Sequence, residues 1–334
     1  MKKEDNKIQG AIDLLTKKYG DGVVIKSTDA PAKIESIKTD CYAIDQLLGC
    51  GGLPRGRIIE VFGQESSGKS SVCLYFASRV QKQGGTCVYI DAENAYDQKY
   101  ASSIGVDTSK LLVSQPSTLE EAFDAIKAFA DTNAIDLIIV DSVSALVPKS
   151  ELEGEEMLKD TMAVQARLMS KGLRILSGPI SRSKTVVIFI NQLRANVGVM
   201  YGQKENTTGG KALKYYSSVR LNVGKGDKIL GPKDEQIGNT VNVTAVKNKV
   251  GFPFRKGSFD LYYGKGVDLV ADALDTGAEY GVIDLTGNTY SFAGNKLGVG
   301  RTNAKNALAK HPEVFEEVKK QINEYLEKFD NKKE

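Results

Sequence analysis

A short segment in the first quarter of the chain has the residue types and spacing of a phosphate-binding loop. It reads Gly63, Gln64, Glu65, Ser66, Ser67, Gly68, Lys69, Ser70 and Ser71. Glycines let backbone N–H groups turn inward around phosphates. Lys69 supplies a positive charge for the β- and γ-phosphates of ATP, and the Ser70 hydroxyl suits Mg²⁺. An apolar strand pattern before the loop and a helical pattern after it favour an ATP and Mg²⁺ site over a turn that binds nothing.

Three further apolar strand patterns end in polar residues. These ends are Asp91–Glu93, Asp141–Ser142 and Asn191–Gln192. Ligands of open α/β sheets bind beyond the carboxyl ends of the strands, so we expect these ends to meet at the phosphate loop. Asp141 is interpreted as the carboxylate on the Mg²⁺ side, acting through water. Glu93 is interpreted as the residue that activates the attacking water and Gln192 as a detector of the γ-phosphate; for both, a helix cap stays an open alternative.

The elements that must position these residues follow an α/β pattern. Apolar strands alternate with helices from about residue 33, which predicts a mainly parallel sheet covered on both faces. The predicted parallel strands are 57–62, 86–90, 111–113, 136–140 and 185–190. Alternating strands follow at 219–223, 240–246 and 258–263, and a smaller unit with helices at 268–281 and 312–329 and a β region at 289–292 ends the chain. Before the sheet, residues 8–20 have the spacing of a helix, and 23–25 have that of a short strand.

Composition excludes several classes of protein. The 334 residues are 41% hydrophobic and 26% charged, as in ordinary globular domains. The four cysteines form no CxxC pair, so neither a disulfide framework nor a zinc site is predicted, and the single histidine makes His-based catalysis an unsuitable hypothesis. The net charge of +3 is too small to indicate nucleic-acid binding by itself. We expect no membrane partner and a cytoplasmic location, because apolar runs are short and no signal peptide precedes the first helix.

Two segments are unusual in their length or their charge. The stretch after Gln192 lacks periodicity up to residue 217, carries Arg194, Lys204, Lys211 and Lys214, and contains the pair Gly209–Gly210. It could bind the phosphates of a single strand of nucleic acid or be a solvated loop, and composition does not decide between them. The segment 148–160 is acidic, and the cations behind it, at Arg167, Lys171 and Arg174, share one helical face that is commonly just solvated.

The motifs above, taken with their order and spacing, resemble the bacterial RecA family of P-loop ATPases over nearly the whole chain. The matching phrases are Gly51–Arg57, Glu65–Ser70, Asp91–Ala95, Val140–Lys149, Phe189–Arg194, Thr207–Lys214 and Val246–Lys249. The resemblance implies a RecA-like core with a mainly parallel central sheet, an N-terminal helix-strand oligomerisation arm and a small α+β C-terminal domain. It places an arm that docks on the neighbouring subunit at 1–32, the ATPase core with both DNA-binding loops at 33–267, and the C-terminal domain at 268–334.

The resemblance also implies roles around ATP. Glu93 corresponds to the family's catalytic glutamate, and Gln192 to the residue that links the γ-phosphate to DNA binding. Asp97 and Tyr100 correspond to residues that hold the adenine, and Tyr263 to another residue beside the base. Two further residues, Lys247 and Lys249, correspond to lysines that reach the ATP of the neighbouring subunit. From the sequence alone, without the resemblance, they would be interpreted as ordinary surface charges.

DNA contacts are implied for both loops. Residues Glu151–Arg167 correspond to the first loop and Gln192–Lys211 to the second. The implied contacts are Arg167, Ser170 and Arg174 behind the first loop, and Arg194, Val197, Gly209, Gly210 and Lys211 in the second. Val197 would be an apolar wedge between stacked bases. In the C-terminal domain, Lys296, Arg301 and Lys305 are candidate contacts for duplex DNA, with a solvated basic face as the alternative.

The activity that the resemblance implies is a DNA-dependent ATPase. It would form a helical filament of copies of this chain on single-stranded DNA and catalyse pairing and strand exchange with homologous duplex DNA. Activation of the self-cleavage of a LexA-type repressor in the SOS response is a further expectation. The rival hypotheses are a ring-shaped helicase with the same core fold and a nucleotide-binding scaffold without turnover.

Three departures from the family pattern bear on these expectations. The first loop is one residue longer than usual and lacks the familiar Gly and His, so no base contacts are assigned within it. Tyr201 stands in place of a frequent Phe, which should preserve stacking. The C-terminal end lacks the acidic tail of many members, so we do not expect a tail to inhibit DNA binding.

Overall fold

The structure is a computed structural model that describes residues 2–20, 23–24, 34–154, 161–195 and 205–331. By the density of its contacts the chain forms two units, residues 1–34 and 35–334. In the first unit, helix α1 (Lys2–Tyr19) ends as predicted before Gly20, whose φ of 92° stops the helix. The predicted short strand is not seen: Val23 and Val24 lie in a bend, and Ile25 is outside the described residues. A strand needs hydrogen bonds to a neighbour, and none is described for these two residues.

The second unit opens with a small antiparallel pair around one short helix. Its members are β1 (Ser36–Ile37), α2 (Tyr42–Leu48) and β2 (Leu53–Pro54). The strands of the central sheet are, in chain order, β3 (Ile58–Gly63), β4 (Cys87–Asp91), β5 (Leu112–Ser114), β6 (Leu137–Asp141), β7 (Val186–Ala195), β8 (Glu205–Thr207), β9 (Val219–Leu230), β10 (Gln236–Asn248), β11 (Lys256–Tyr262) and β12 (Gly266–Val267). Their order across the sheet is β12-β11-β10-β9-β3-β7-β6-β4-β5, with β8 paired to β7.

The middle of this sheet is parallel and one side of it is antiparallel. Strands β3, β4, β5, β6, β7 and β9 pair in parallel, whereas β10, β11 and β12 continue the sheet in antiparallel pairs. The parallel strands β3, β4 and β6 are buried along their whole length, as expected for strands covered on both faces. The mainly parallel α/β core predicted from the sequence is therefore confirmed.

Helices cover both faces of the sheet and form two apolar cores. The helices of this region are α3 (Lys69–Lys82), α4 (Gln98–Ile104), α5 (Leu119–Asp131), α6 (Lys149–Leu152), α7 (Thr161–Ser183) and α8 (Ala212–Tyr216). One core contains the buried side of α3 and of α2, and the other contains the buried sides of α5, α7 and α8. Because β3, β4, β6 and β7 contribute side chains to both cores, the polar residues at the ends of these strands are held at one rigid edge.

A small α+β region with its own apolar core ends the chain. It consists of α9 (Leu269–Glu279), β13 (Asp284–Thr286), β14 (Thr289–Phe292), β15 (Asn295–Val299), α10 (Arg301–Lys310) and α11 (Pro312–Asn331). The buried Asp272 of α9 fastens this region to the rest of the unit, since its carboxylate accepts hydrogen bonds from the backbone N–H groups of Tyr42 and Ala43 at the start of α2, at 2.6 and 3.0 Å. Among the helices that the structure describes, none combines the length and apolarity needed to cross a lipid bilayer.

Candidate nucleotide and nucleic-acid site

The phosphate loop joins the end of β3 to the start of α3. Ser66 and Gly68 have positive φ angles of 57° and 92°, so successive backbone N–H groups turn toward the inside of the loop. The hydroxyl of Ser67 is buried and has no hydrogen-bond partner among the described atoms. Donors that point inward at a helix N-terminus suit an anionic ligand, and the loop therefore fits the phosphates of a nucleotide.

Lys69 is held inside this loop. Its side chain is only 7% exposed, and its Nζ donates a hydrogen bond to the Gln64 carbonyl at 2.7 Å. Burial lowers the pKa of Lys69, while the nearby carboxylates of Asp141 and Glu93 act in the opposite direction. A desolvated ammonium group attracts phosphate oxygens more strongly than a solvated one does, because water screens it less.

Asp141 and Ser70 lie together beside the loop. Both residues line the same cavity, and the Tyr89 hydroxyl donates a hydrogen bond to Asp141 Oδ2 at 2.6 Å. Burial raises the pKa of Asp141. Among the described residues, no three His, Cys, Asp or Glu side chains cluster closely enough to hold a metal ion on their own. Mg²⁺ in nucleotide sites takes only one or two protein oxygens besides phosphate and water, so the Ser70–Asp141 pair fits this ion.

Glu93 stands where three strand ends meet. Its Oε1 accepts a hydrogen bond from Ser142 Oγ at 2.5 Å and a longer one from Gln192 Nε2 at 3.4 Å. Ser142 follows β6, as the sequence predicted, whereas Gln192 lies inside β7, which continues past the predicted end at residue 190 to Ala195. Asp91 fixes the turn that carries Glu93, because its carboxylate accepts from the backbone N–H groups of Ala95 and Tyr96, both at 3.1 Å.

A cavity of about 120 Å³ brings together five of the predicted nucleotide residues, namely Ser70, Glu93, Asp97, Tyr100 and Asp141. Its walls are formed by Ser70, Leu74, Tyr89, Asp91, Glu93, Ala95, Tyr96, Asp97, Tyr100 and Asp141. Asp97 also caps α4, since its carboxylate accepts from the N–H groups of Lys99 and Tyr100 at 2.8 and 3.1 Å. Tyr100 in turn shares a 2.6 Å hydrogen bond with Ser71 on α3. Predicted adenine-side and phosphate-side residues thus lie in one pocket.

Tyr263 does not line this pocket. It borders a second cavity of about 360 Å³, together with Gln236, Ile237, Tyr262 and Lys265. Its hydroxyl accepts from Gln236 Nε2 at 2.8 Å and contacts Asn239 Oδ1 at 3.3 Å. The neighbouring Gly264 lies against Ser103 of α4, so Tyr263 is near the adenine-side helix without touching the first cavity.

Neither of the two lysines of the Val246–Lys249 phrase lines the first cavity. Lys247 Nζ donates to the carbonyls of Lys214 and Tyr215, at 2.5 and 3.0 Å, and thereby caps the C-terminal end of α8. Burial and the nearby Lys249 lower the pKa of Lys247. The Lys249 side chain is exposed. Within one chain, the pair is therefore placed at the end of the helix that follows the second loop and not at the chain's own phosphate loop.

The described parts of the two predicted DNA loops converge on α7. Arg167, Ser170 and Arg174 are exposed on one face of this helix. Gly210 packs against the same helix, and a Cβ added to it would lie 2.8 Å from the Cβ of Ala166. Lys211, which follows, is exposed. The ends of the two loops are thus adjacent, and only a glycine fits at their point of contact.

Several predicted loop residues cannot be placed. Arg194 lies in β7, and only its backbone is described; it pairs with Asn206 of β8. Val197 and Tyr201 lie outside the described residues, as does most of the acidic part of the first loop, at 155–160.

Comparison with known proteins decides the family. The model of the RecA N-terminal domain matches residues 6–268, and that of the RecA C-terminal domain matches residues 271–327. The chain belongs to the RecA family. Curated relatives named Protein RecA include those of Lactobacillus acidophilus, 46% identical over 325 residues (96% of this chain and 89% of that protein), and Saccharopolyspora erythraea, 48% identical over 317 residues (95% and 91%). A third, from Chlorobium chlorochromatii, is 46% identical over 318 residues (95% and 90%).

Family membership confirms the resemblance and the fold predicted from it. It assigns this RecA-family chain a recombinase role in DNA repair, with the nucleotide binding, DNA-dependent ATPase activity, single-stranded DNA binding and self-assembly that the family implies.

The RecA-type C-terminal domain uses two of its three predicted duplex-DNA contacts internally. Arg301 binds Asp260 at 2.7 Å and Asp275 at 2.6 Å. Lys305 binds Asp268 and the Tyr262 hydroxyl, both at 2.9 Å. These ion pairs connect α10 to β11 and to the start of α9, which favours a structural role for both cations. Lys296 is exposed on β15.

Sequence reasoning noted Asp91, Ser142 and Asn191 only as polar strand ends and gave them no separate roles. In the structure, Asp91 fixes the Glu93 turn and Ser142 holds the Glu93 carboxylate. A stronger signal was available for Glu60, a charged residue inside the apolar run of β3, because buried charges persist only when they are paired.

Proposed function

We propose that this chain hydrolyses ATP with Mg²⁺ to control a helical filament on single-stranded DNA, and that the filament pairs this DNA with a homologous duplex and exchanges strands. The observation that carries the proposal is the position of Gln192. Its side chain contacts Glu93 at the nucleotide cavity, and its strand β7 continues directly into the second DNA loop. One strand therefore joins the group that meets the γ-phosphate to a segment that meets DNA.

In the proposed reaction, the chain's own residues bind, orient and deprotonate. Lys69 and the loop N–H groups bind the phosphates of ATP, and Ser70 and Asp141 would hold Mg²⁺, which neutralises charge on the β- and γ-phosphates. Glu93 accepts the proton of the attacking water, and Ser142 keeps its carboxylate in place. Asp97, Tyr100 and Tyr263 are proposed to hold the adenine side.

We assign Lys247 and Lys249 to the ATP of the neighbouring subunit. Their position outside the chain's own cavity supports this assignment. Cations supplied by a neighbour in this manner contribute roughly 10³–10⁵ in rate in related phosphoryl-transfer enzymes. Each nucleotide would then be complete only between two copies, and filament assembly and hydrolysis would depend on each other.

DNA would be held mainly through its phosphates. Arg167, Ser170 and Arg174 lie on an exposed face of α7, and the Gly209–Gly210 pair lies against that helix. Backbone N–H groups and exposed cations of this kind bind phosphate oxygens without reading sequence. Arg194, Lys211 and the wedge Val197 complete the proposed contact, and base pairing with the incoming strand supplies the recognition of homology.

The division of the chain is part of the proposal. Residues 1–32 are the arm that binds the next subunit, 33–267 the ATPase core, and 268–334 a domain at the entry of duplex DNA. We also propose that the chain activates a LexA-type repressor and that it is cytoplasmic. Only its family membership supports these two parts of the proposal.

Strand exchange between circular single-stranded DNA and a homologous linear duplex tests the proposal. With ATP and Mg²⁺ we expect joint molecules and displaced strand, and neither with ADP or with a heterologous duplex. ATP hydrolysis that unwinds a duplex without exchange would instead indicate a helicase, and nucleotide binding without any turnover would indicate a scaffold.

A further inference from the structure

A buried polar network lies directly behind the nucleotide site. Glu60, in the middle of β3, is 0% exposed, and its Oε2 accepts from Arg220 Nε of β9 at 2.5 Å. The Arg220 guanidinium also stacks 4.5 Å from the centre of the Phe62 ring. The second carboxylate oxygen, Oε1, accepts from Asn191 Nδ2 of β7 at 3.1 Å. A buried carboxylate is costly unless both oxygens are satisfied, so Asn191 is required to complete the network.

Asn191 uses both N–H donors of its amide and the carbonyl oxygen at this point. Besides Glu60, its Nδ2 donates to the Thr208 carbonyl at 2.9 Å, and its Oδ1 accepts from the backbone N–H of Gln192 at 2.9 Å. The side chain is fully buried. An amide has two donors and a carbonyl oxygen, and no other side chain of this size offers both.

Those three partners lie at three places around the site: on the strand before the phosphate loop, at the start of the second loop and near its end. Glu60 lies on the strand that ends in the phosphate loop, Gln192 contacts Glu93, and Thr208 immediately precedes the Gly209–Gly210 pair. In the parallel register, Asn191 stands opposite Phe62 and Gln192 opposite Gly63. A displacement of the Gln192 backbone is therefore passed to the Thr208 carbonyl through a single rigid amide, with no intervening flexible side chain.

We infer that Asn191 is a positioning residue that couples nucleotide occupancy to the DNA-binding end of the second loop. This inference rests on the proposed function and adds to it a residue that touches neither ATP nor DNA. Glu60 and Arg220 anchor the amide to the sheet, and the amide holds the start and the end of the second loop in one arrangement. Without it, the loop end and Gln192 respond independently to their ligands.

The test measures coupling rather than activity alone. The affinity for single-stranded DNA is measured with and without a non-hydrolysable ATP analogue, and the quotient of the two affinities is the coupling factor. Typical couplings between sites are on the order of 5- to 150-fold. In Asn191→Ala we expect this factor to fall to about 1, within roughly twofold, while analogue binding and DNA-free ATP hydrolysis stay near those of the unmodified chain.

The matched control is Asp136→Asn. Asp136 also joins the segments that lead into neighbouring strands, through part-buried hydrogen bonds from Thr86 N at 2.9 Å and Arg55 at 2.8 Å, but it stands at the opposite, amino-terminal edge of the sheet. Thermal unfolding compares the stability of the two variants. We expect the control to keep the full coupling factor even where its stability loss equals that of Asn191→Ala.

Each outcome decides the matter. Coupling retained in a folded Asn191→Ala variant overturns the inference, as does equal loss in Asp136→Asn. If the alanine variant is not recovered folded, Asn191→Ser takes its place, because one hydroxyl donor cannot satisfy both Glu60 and Thr208, and the same factor decides. An unmodified chain that shows no coupling contradicts the proposed function itself, and this result is distinct from a failure of the variants alone.

Discussion

At the scale of single residues, the nucleotide site depends on carboxylates whose surroundings differ. Asp141 is buried beside Ser70 and Tyr89, and the Tyr89 hydroxyl holds its carboxylate in place. A carboxylate fixed in this way suits the binding of a cation. Glu93 instead lies at the junction of two loops and receives its hydrogen bonds from Ser142 and Gln192. Two acidic groups in one cavity thus differ in the contacts that hold them, which supports the different roles proposed for them.

Replacing Glu93→Gln tests its role as the base. The amide keeps an oxygen that Ser142 and Gln192 can bind, but it cannot take a proton from water. We expect steady-state ATP hydrolysis to fall by about 10²–10⁴, with ATP binding retained. The control is Glu324→Gln, which removes a carboxylate from the exposed face of α11. Hydrolysis in Glu93→Gln equal to that of the control would remove Glu93 from the chemistry.

A second residue-scale prediction concerns pH and stability. Burial raises the pKa of Asp45 from 3.8 to about 7, although hydrogen bonds from Thr39 oppose the shift. The folded state therefore holds this proton more tightly than the unfolded state does. Its contribution to stability is complete below about pH 4 and is lost as pH rises through about 7.

Thermal unfolding between pH 5 and pH 8 measures this effect. We expect Asp45→Asn to flatten the decline in melting temperature on the alkaline side, since an amide has no proton to lose. The buried Asp272, whose pKa burial raises to about 6, contributes a decline of the same sign that the variant keeps. An Asp45→Asn variant with the same pH dependence as the unmodified chain would contradict the assignment.

At the scale of elements, α8 connects the second loop to the lysines proposed to act in the neighbouring subunit. Lys247 caps its C-terminal carbonyls, whereas Lys249 makes no described ion pair and is exposed. Removing Lys247 takes away one hydrogen bond to each of two carbonyls at the end of α8, but removing Lys249 leaves these hydrogen bonds in place.

The pair Lys247→Ala and Lys249→Ala separates structural and catalytic contributions. We expect Lys247→Ala to lower the free energy of unfolding by about 1 kcal/mol, the value of an ordinary hydrogen bond, since the site is only partly buried. Lys249→Ala should leave stability unchanged. Both should reduce DNA-stimulated ATP hydrolysis. Equal stabilities in the two variants would show that the cap does not hold α8, and undiminished hydrolysis in both would contradict their role at the neighbour's nucleotide.

Burial explains which elements the sequence could predict. The strands that position the site are covered on both faces and therefore appear as continuous apolar runs, as in 58–62 and 137–140. The part of β9 beyond Val223 has no buried residue and all of β13 is exposed, so these residues form no apolar pattern and were not predicted. The strand predicted at 23–25 was wrong for a different reason. Its β-branched residues favour a strand, but they do not supply a neighbouring strand to pair with.

The site was predictable in part for a related reason. Lys69, Asp141, Glu93 and Gln192 come after apolar runs in the sequence, and parallel topology brings the ends of such runs together. The roles of Ser142 and Asn191, the cap formed by Lys247, and the internal ion pairs of Arg301 depend on contacts between segments far apart in sequence. Local patterns carry no information on such partners.

At the scale of the whole molecule, DNA binding must arise from local sites. The net charge of +3 is too weak to attract a polyanion over the whole surface, whereas the exposed face of α7 and the glycine pair beside it present concentrated donors. The two lysines proposed to act on the neighbour's ATP do not line the nucleotide cavity of their own chain, and residues 1–34 form a unit of their own. These features together favour a protein that works as an assembly of copies rather than as a monomer.

The most direct test of the account is the nucleotide dependence of single-stranded DNA binding in Lys69→Ala, compared with Lys82→Ala at the exposed far end of the same helix. We predict that ATP raises the DNA affinity of the unmodified chain and of Lys82→Ala, and that Lys69→Ala retains only the affinity seen without nucleotide. If ATP raises the DNA affinity of Lys69→Ala as much as that of the control, this result would contradict the claim that a triphosphate bound at this loop controls the affinity for DNA.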